Sequence, residues 1–133
     1  AAAIGALGRE LSRAGRHREA VVQLRRSLEL NPQLSASQGS LAWVLATCPD
    51  KAIRDGEEAM QIALQLNRKT RFKNATHLDT YAAALAEKGL FDDALDYGQQ
   101  AAAVARASDN EGLALQIEQR LNLYRQRQPY RGT

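Results

Sequence analysis

A single cysteine, Cys48, stands among the 133 residues, which excludes an intramolecular disulfide and leaves the redox compartment open. Aromatics make up only 5% of the chain. Alanine and leucine supply most of the apolar surface instead, which suits closely packed helices and argues against a strand-rich sandwich. No apolar run approaches the roughly 18 residues that a membrane span needs, so neither a span nor a signal peptide is expected in this segment. The two histidines, His17 and His77, have no cysteine, histidine or carboxylate at metal-ligand spacing, and no metal is expected. The glycines are spaced as helix stops and close-contact points, not as a phosphate-binding loop, so no cofactor is expected. Cys48 with Asp50 and His77 is the nearest thing to a nucleophile and base. A small buried thiol beside a turn proline accounts for it better, and no enzymatic activity is expected.

What the chain does have is periodic. The 44% apolar content is enough for a continuous core. Ile4, Leu7, Gly8 and Leu11 fall on one helical face, and Gly15 follows as a stop that glycine makes cheaply. Ala20, Leu24, Ser27 and Leu28 form a second stripe that ends at Asn31-Pro32, where proline cannot continue a helix. Leu41, Ala42 and Leu45 repeat the first stripe 34 residues later. Ala59, Ala63 and Leu66 repeat the second five residues later than that period requires, which places an extended loop near Pro49–Arg54. Leu78, Tyr81, Ala82, Leu85, Gly89, Ala94 and Ala101 repeat the first unit again at an offset of 74. Ser35 with Gln38, Asp55 with Glu58, and Ser108 with Glu111 are candidate helix starts. The paired carboxylates Glu57-Glu58 and Asp92-Asp93 fall in first turns, where the helix dipole favours them.

The resulting expectation is seven helices. They form units at 1–34, 35–73 (with the loop insertion) and 74–107, followed by a capping helix and tail at 108–133 whose stripe is Leu113, Ile117, Leu121 and Tyr124. The formal net charge of +3 is unevenly placed: residues 68–73 hold four basic side chains and no acid, whereas 74–112 is strongly acidic. The stretch 67–74 reads as a basic connector, with Phe72 pinning it to the body.

Leu7-Gly8, Leu11, Gly15, Glu19-Ala20, Leu24, Ser27 and Glu29-Leu30-Asn31-Pro32 resemble a tetratricopeptide repeat, whose period is 34 residues. Leu41-Ala42-Trp43-Val44-Leu45-Ala46-Thr47-Cys48-Pro49-Asp50, Arg54-Asp55-Gly56, Leu78-Asp79-Thr80, Leu123-Tyr124-Arg125 and Pro129-Tyr130-Arg131 are similar to the carboxy-terminal repeats of large bacterial proteins of that family. The resemblance implies an all-α, right-handed superhelical solenoid of three helix-turn-helix hairpins plus a C-terminal capping helix. It further implies a non-enzymatic scaffold that is one piece of a larger polypeptide and binds a peptide or helix in its concave groove. By matching positions the groove holds Arg9, Ser12 and Arg13, then Gly39, Trp43 and Thr47, then Asp79, Ala83 and Glu87. Gly5 and Ala46 share that face.

Trp43 among small neighbours reads as an anchor for a bound peptide; the alternative packs it onto the insertion loop. Arg9 and Arg13 would face an acidic segment of the partner, with Asp79 and Glu87 at the opposite end. Two other functions compete: an electrostatic nucleic-acid contact through Arg68–Lys73, disfavoured by the absence of interleaved aromatics, and homo-oligomerisation through exposed solenoid ends.

Overall fold

A computed structural model describes residues 1–132, and the described chain is all-α, with seven helices and no strand. They are α1 (Ala2–Arg13), α2 (His17–Leu30), α3 (Ser35–Thr47), α4 (Gly56–Lys69), α5 (Ala75–Glu87), α6 (Phe91–Ala107) and α7 (Glu111–Arg125). Thr133, in the expected segment 108–133, lies outside the described residues.

The helix stops share one device. Gly15 (φ +81°) and Gly89 (φ +78°) take the left-handed conformation. The next N–H groups, of Arg16 and Leu90, then close back onto the Leu11 and Leu85 carbonyls, both at 2.9 Å, capping acceptors that the helix leaves open. After α4, α6 and α7 the same turn forms without glycine. Arg71, Asp109 and Arg127 sit at φ 55°, 58° and 60°, and the N–H groups of Phe72, Asn110 and Gln128 reach the Asn67, Ala105 and Leu123 carbonyls. A side chain in that conformation costs roughly 1 to 2 kcal/mol, offset here by satisfied carbonyls.

Two of the three expected helix starts need correction. Asp55 does cap α4, its Oδ1 accepting the Glu58 N–H at 3.0 Å. Ser35 is the first residue of α3 and caps nothing; Gln38 Nε2 donates instead to the Pro32 carbonyl at 2.8 Å. Ser108 ends α6, and Asn110 starts α7, its Oδ1 accepting the Leu113 N–H at 3.2 Å. The left-handed Asp109 closes α6 first and pushes the new start two residues on. Asn74 similarly caps α5 through the His77 N–H at 3.0 Å.

The basic connector is also shorter than expected, because α4 runs through Lys69. Asn67 is buried inside that helix and its Nδ2 donates to the Ala63 and His77 carbonyls, each at 3.0 Å, tying α4 to the start of α5. Phe72 does pin the remaining turn, with its ring stacked 6.0 Å from that of Tyr97.

Helix α1 packs on α2, α3 on α4, α5 on α6 and α7 on α6, while α1, α3 and α5 lie side by side in that order. Small residues set the spacing: Ala20, Ala59 and Ala94 are fully buried, and a Cβ at Gly8 would come within 2.8 Å of Leu24 Cγ. Every residue of α5 from Leu78 to Ala86 is buried, because helices cover it on several sides. Leu7 departs from expectation and stays 49% exposed, since no helix lies beyond α1 to receive it.

The inserted loop, residues 48–55, finishes α3 rather than hanging from it. Asp55 N–H donates to the Leu45 carbonyl at 2.9 Å, and Arg54 Nη1 donates to the Cys48 and Pro49 carbonyls at 2.8 and 3.0 Å. Acceptors that a helix ordinarily leaves to water are thus held by the loop itself.

Candidate functional site

Because α1, α3 and α5 lie side by side, side chains one turn apart on each converge on a common cleft of about 680 Å³. It is lined by Arg9, Ser12 and Arg13 from α1, Gly39, Trp43 and Thr47 from α3, and Asp79 from α5, as the repeat register expected. His17, Ser40, His77, Gln116, Arg120 and Tyr130 join them. Ala83 and Glu87 are absent from this lining. Ala83 is 1% exposed and packs in the core with Leu41 and Leu45, and Glu87 sits at the end of α5 among arginines. Gly5 and Ala46 are buried too. A helix packed on several sides hides groove-face positions along with the rest, so the register overcounted the groove at α5.

At the α1 end the cleft is open and basic. Arg9 has no ion-pair partner among the described residues, and Arg13 meets only the exposed Glu10 one turn back. Burial lowers the His77 pKa, keeping the ring neutral.

The α5 end is filled. Arg120 of α7 is wedged between two rings, its guanidinium carbon 4.9 Å from the Trp43 centroid and 4.8 Å from that of Tyr130. The two rings lie 5.7 Å apart at 41°. Arg120 Nη1 donates to Asp79 Oδ2 at 2.9 Å, a pair whose side chains are 13% and 7% exposed. Burial lifts the Asp79 carboxyl to about 6, and the attraction of Arg120 only partly opposes this. Beside it the Tyr124 phenol is raised by burial, and its hydroxyl has no hydrogen-bond partner among the described residues. Trp43 therefore packs on neither the insertion loop nor open solvent. Its face is taken by a cation, with the ring quadrupole as the attraction.

The segment after α7 makes the rest of the filling. Arg131 Nη2 donates to Glu87 Oε1 at 2.7 Å, while Arg54 Nε donates to Glu87 Oε2 at 3.1 Å. Gly132 N–H donates to the Thr47 carbonyl at 2.8 Å, satisfying one of the last acceptors of α3. Thr47 Oγ1 in turn donates to the Trp43 carbonyl at 2.7 Å. The expected acidic end of the groove is thus neutralised: Asp79 faces Arg120, and Glu87 faces Arg54 and Arg131. Spacing gave no sign of Arg120, Tyr130 or Arg131 as groove residues, because they come from the far end of the chain; the aromatic-arginine pairing Tyr130-Arg131 was the available signal.

A second cleft of about 740 Å³ lies between α6 and α7, lined by Gln99, Arg106, Glu118 and Arg125 among others. It is crossed by the ion pair of Arg106 with Glu118 at 2.6 Å and gathers no comparable set of groups. No cluster of three or more potential metal ligands occurs among the described residues, and no helix is long and apolar enough to cross a membrane. No family model, curated protein or solved structure matches the chain.

Proposed function

We propose that this chain is a protein-interaction module of the tetratricopeptide type, three hairpins in a right-handed superhelix plus a capping helix, which binds a peptide or helix of a partner in the cleft between α1, α3 and α5. The observation that carries the reading is the convergence of Arg9, Ser12, Arg13, Gly39, Trp43, Thr47 and Asp79, drawn from three separate helices, on one concave surface. Seven positions spaced by a repeat share a cleft only when the helices that bear them stack in the repeat's order. The open end presents Arg9 and Arg13, which favours a segment whose acidic part lies there. Exposed ion pairs contribute only about 0 to 1 kcal/mol each, so charge sets orientation and association rate, while the aromatic end supplies most of the affinity.

Selection of peptides from a random library on the immobilised chain tests this reading. Parent-selected peptides should be acidic toward one end. Trp43→Ala should weaken them at every salt concentration, whereas the Arg9→Glu, Arg13→Glu double variant should weaken them mainly at low salt. Peptides that bind both variants as they bind the parent would place the interaction elsewhere.

A further inference from the structure

The contacts made by residues 129–132 are of the kinds by which grooves hold extended peptides: an aromatic ring laid against Trp43 and Arg120, an arginine on Glu87, and a main-chain N–H on the Thr47 carbonyl. We propose that this segment is an internal occupant of a peptide subsite, and that the same half of the cleft receives from a partner protein an extended segment with an aromatic residue directly followed by arginine. The inference rests on the groove reading above and adds to it the chemistry of one half of the ligand and the means of regulating access.

Three observations favour an exchangeable occupant over a fixed strap. Pro129, Tyr130, Arg131 and Gly132 are each only partly buried, while the helices beneath them form complete cores of their own. The segment is joined to α7 by residues 126–128 alone, so it can leave without disturbing a helix. The acceptors it uses, Glu87 and the Thr47 carbonyl, do not lose all support when it leaves: Glu87 keeps Arg54, and the Thr47 carbonyl lies at a helix end that water can reach. Charge fixes the chemistry of the newcomer, because Asp79 is already matched by Arg120 whereas Glu87 holds the incoming arginine. The aromatic side chain is fixed by the two flat faces, Trp43 and Arg120, that it would lie against.

A seated tail competes intramolecularly at a high effective concentration, and a partner's apparent affinity falls by the fraction of time the subsite is vacant. The test uses the full chain carrying Tyr130→Ser and Arg131→Ser. The probe is a fluorescently labelled, amidated peptide with the sequence of residues 127–132, Arg-Gln-Pro-Tyr-Arg-Gly, followed by polarisation. Trp43 is the only tryptophan, so its emission reports directly whether the subsite is vacated and refilled, and circular dichroism checks that the helices persist. The expected result is binding to the released chain at least about ten-fold tighter than to the parent. Emission should return toward the parent's, and binding should be lost on adding Trp43→Ala. Should the double variant fold poorly, Gly132→Pro, which removes only the N–H given to Thr47, should yield a smaller gain in the same direction.

Peptide that binds the released chain no better than the parent, although Trp43 emission shows the subsite vacated, would make the tail a structural strap and overturn the proposal. A parent that sediments as a dimer and becomes a monomer on Tyr130→Ser, Arg131→Ser substitution would give the subsite to a second copy and overturn it equally. If library peptides still require Arg9 and Arg13 while the tail peptide does not bind, this inference alone fails. If neither set binds, the groove reading fails with it.

Discussion

The two ends of the molecule are built from the same pattern and treated differently. Leu7 and Tyr81 hold equivalent positions, 74 residues apart, yet Leu7 is 49% exposed and Tyr81 is 9% exposed. The α1 helix buries only Gly5 and Gly8, whereas α5 buries every residue from Leu78 to Ala86. The difference is the neighbour. Helix α7 packs on α6 and sends Arg120 across to Asp79 of α5, and nothing does this for α1. A stripe of apolar residues specifies a face, and its stability is realised only where another element arrives to cover it.

The sharpest way to break this comparison is to remove matched leucines. Leu121 of α7 is 3% exposed and seats against Gly98 of α6, so Leu121→Ala should cost about 2 to 5 kcal/mol in urea unfolding. Leu7→Ala should cost about 1 kcal/mol or less, because half of that side chain already meets water. Equal losses would mean that the α1 face is covered in solution.

A second difference is electrical. The position of Asp79 is taken in α1 by Gly5, so only one end carries a buried acid. Its folded-state value, raised from 3.8 to about 6 by burial, means that the folded chain keeps a proton which the unfolded chain releases. The associated stability is full below about pH 4 and is lost as pH rises through about 6. The stability of the parent relative to Asp79→Asn should therefore fall by up to about 3 kcal/mol between roughly pH 4 and 7. Glu57 and Glu58, lowered by their hydrogen bonds to Lys88 and Arg25, titrate in the opposite sense in both chains and cancel. A flat difference across that range would show that Asp79 stays ionised beside Arg120.

The smallest expected effect concerns the helix stops. Gly15 closes α1 without strain, while Asp109 holds the same conformation after α6 with a side chain. Asp109→Gly should raise stability by up to about 1 kcal/mol, the relieved strain less the entropy glycine adds to the unfolded chain. Gly15→Ala should lower it by a similar or larger amount. Thermal melts of the two variants, moving in opposite directions, would check both; a loss in Asp109→Gly would mean that the Asp109 side chain contributes more than its strain removes.

Local pattern by itself determined that the chain is all-helical and how many helices it has. It also set their stripes, the stops at Gly15 and Gly89 and the cap at Asp55, because each depends on neighbours a few residues apart. It misplaced the starts of α3 and α7, where a proline carbonyl and a left-handed aspartate took the groups that Ser35 and Ser108 offered. It likewise brought Arg9, Arg13 and Trp43 to one cleft, since a repeat places equivalent positions on one face once the helices stack. Only the tertiary structure decided which apolar faces are covered, that Ala83 lies beneath the groove and that Glu87 stands among arginines. It alone brought Arg120, Tyr130 and Arg131 onto Trp43 and its neighbours. Those contacts join residues more than 40 positions apart, and no spacing along a helix encodes where a distant tail comes to rest.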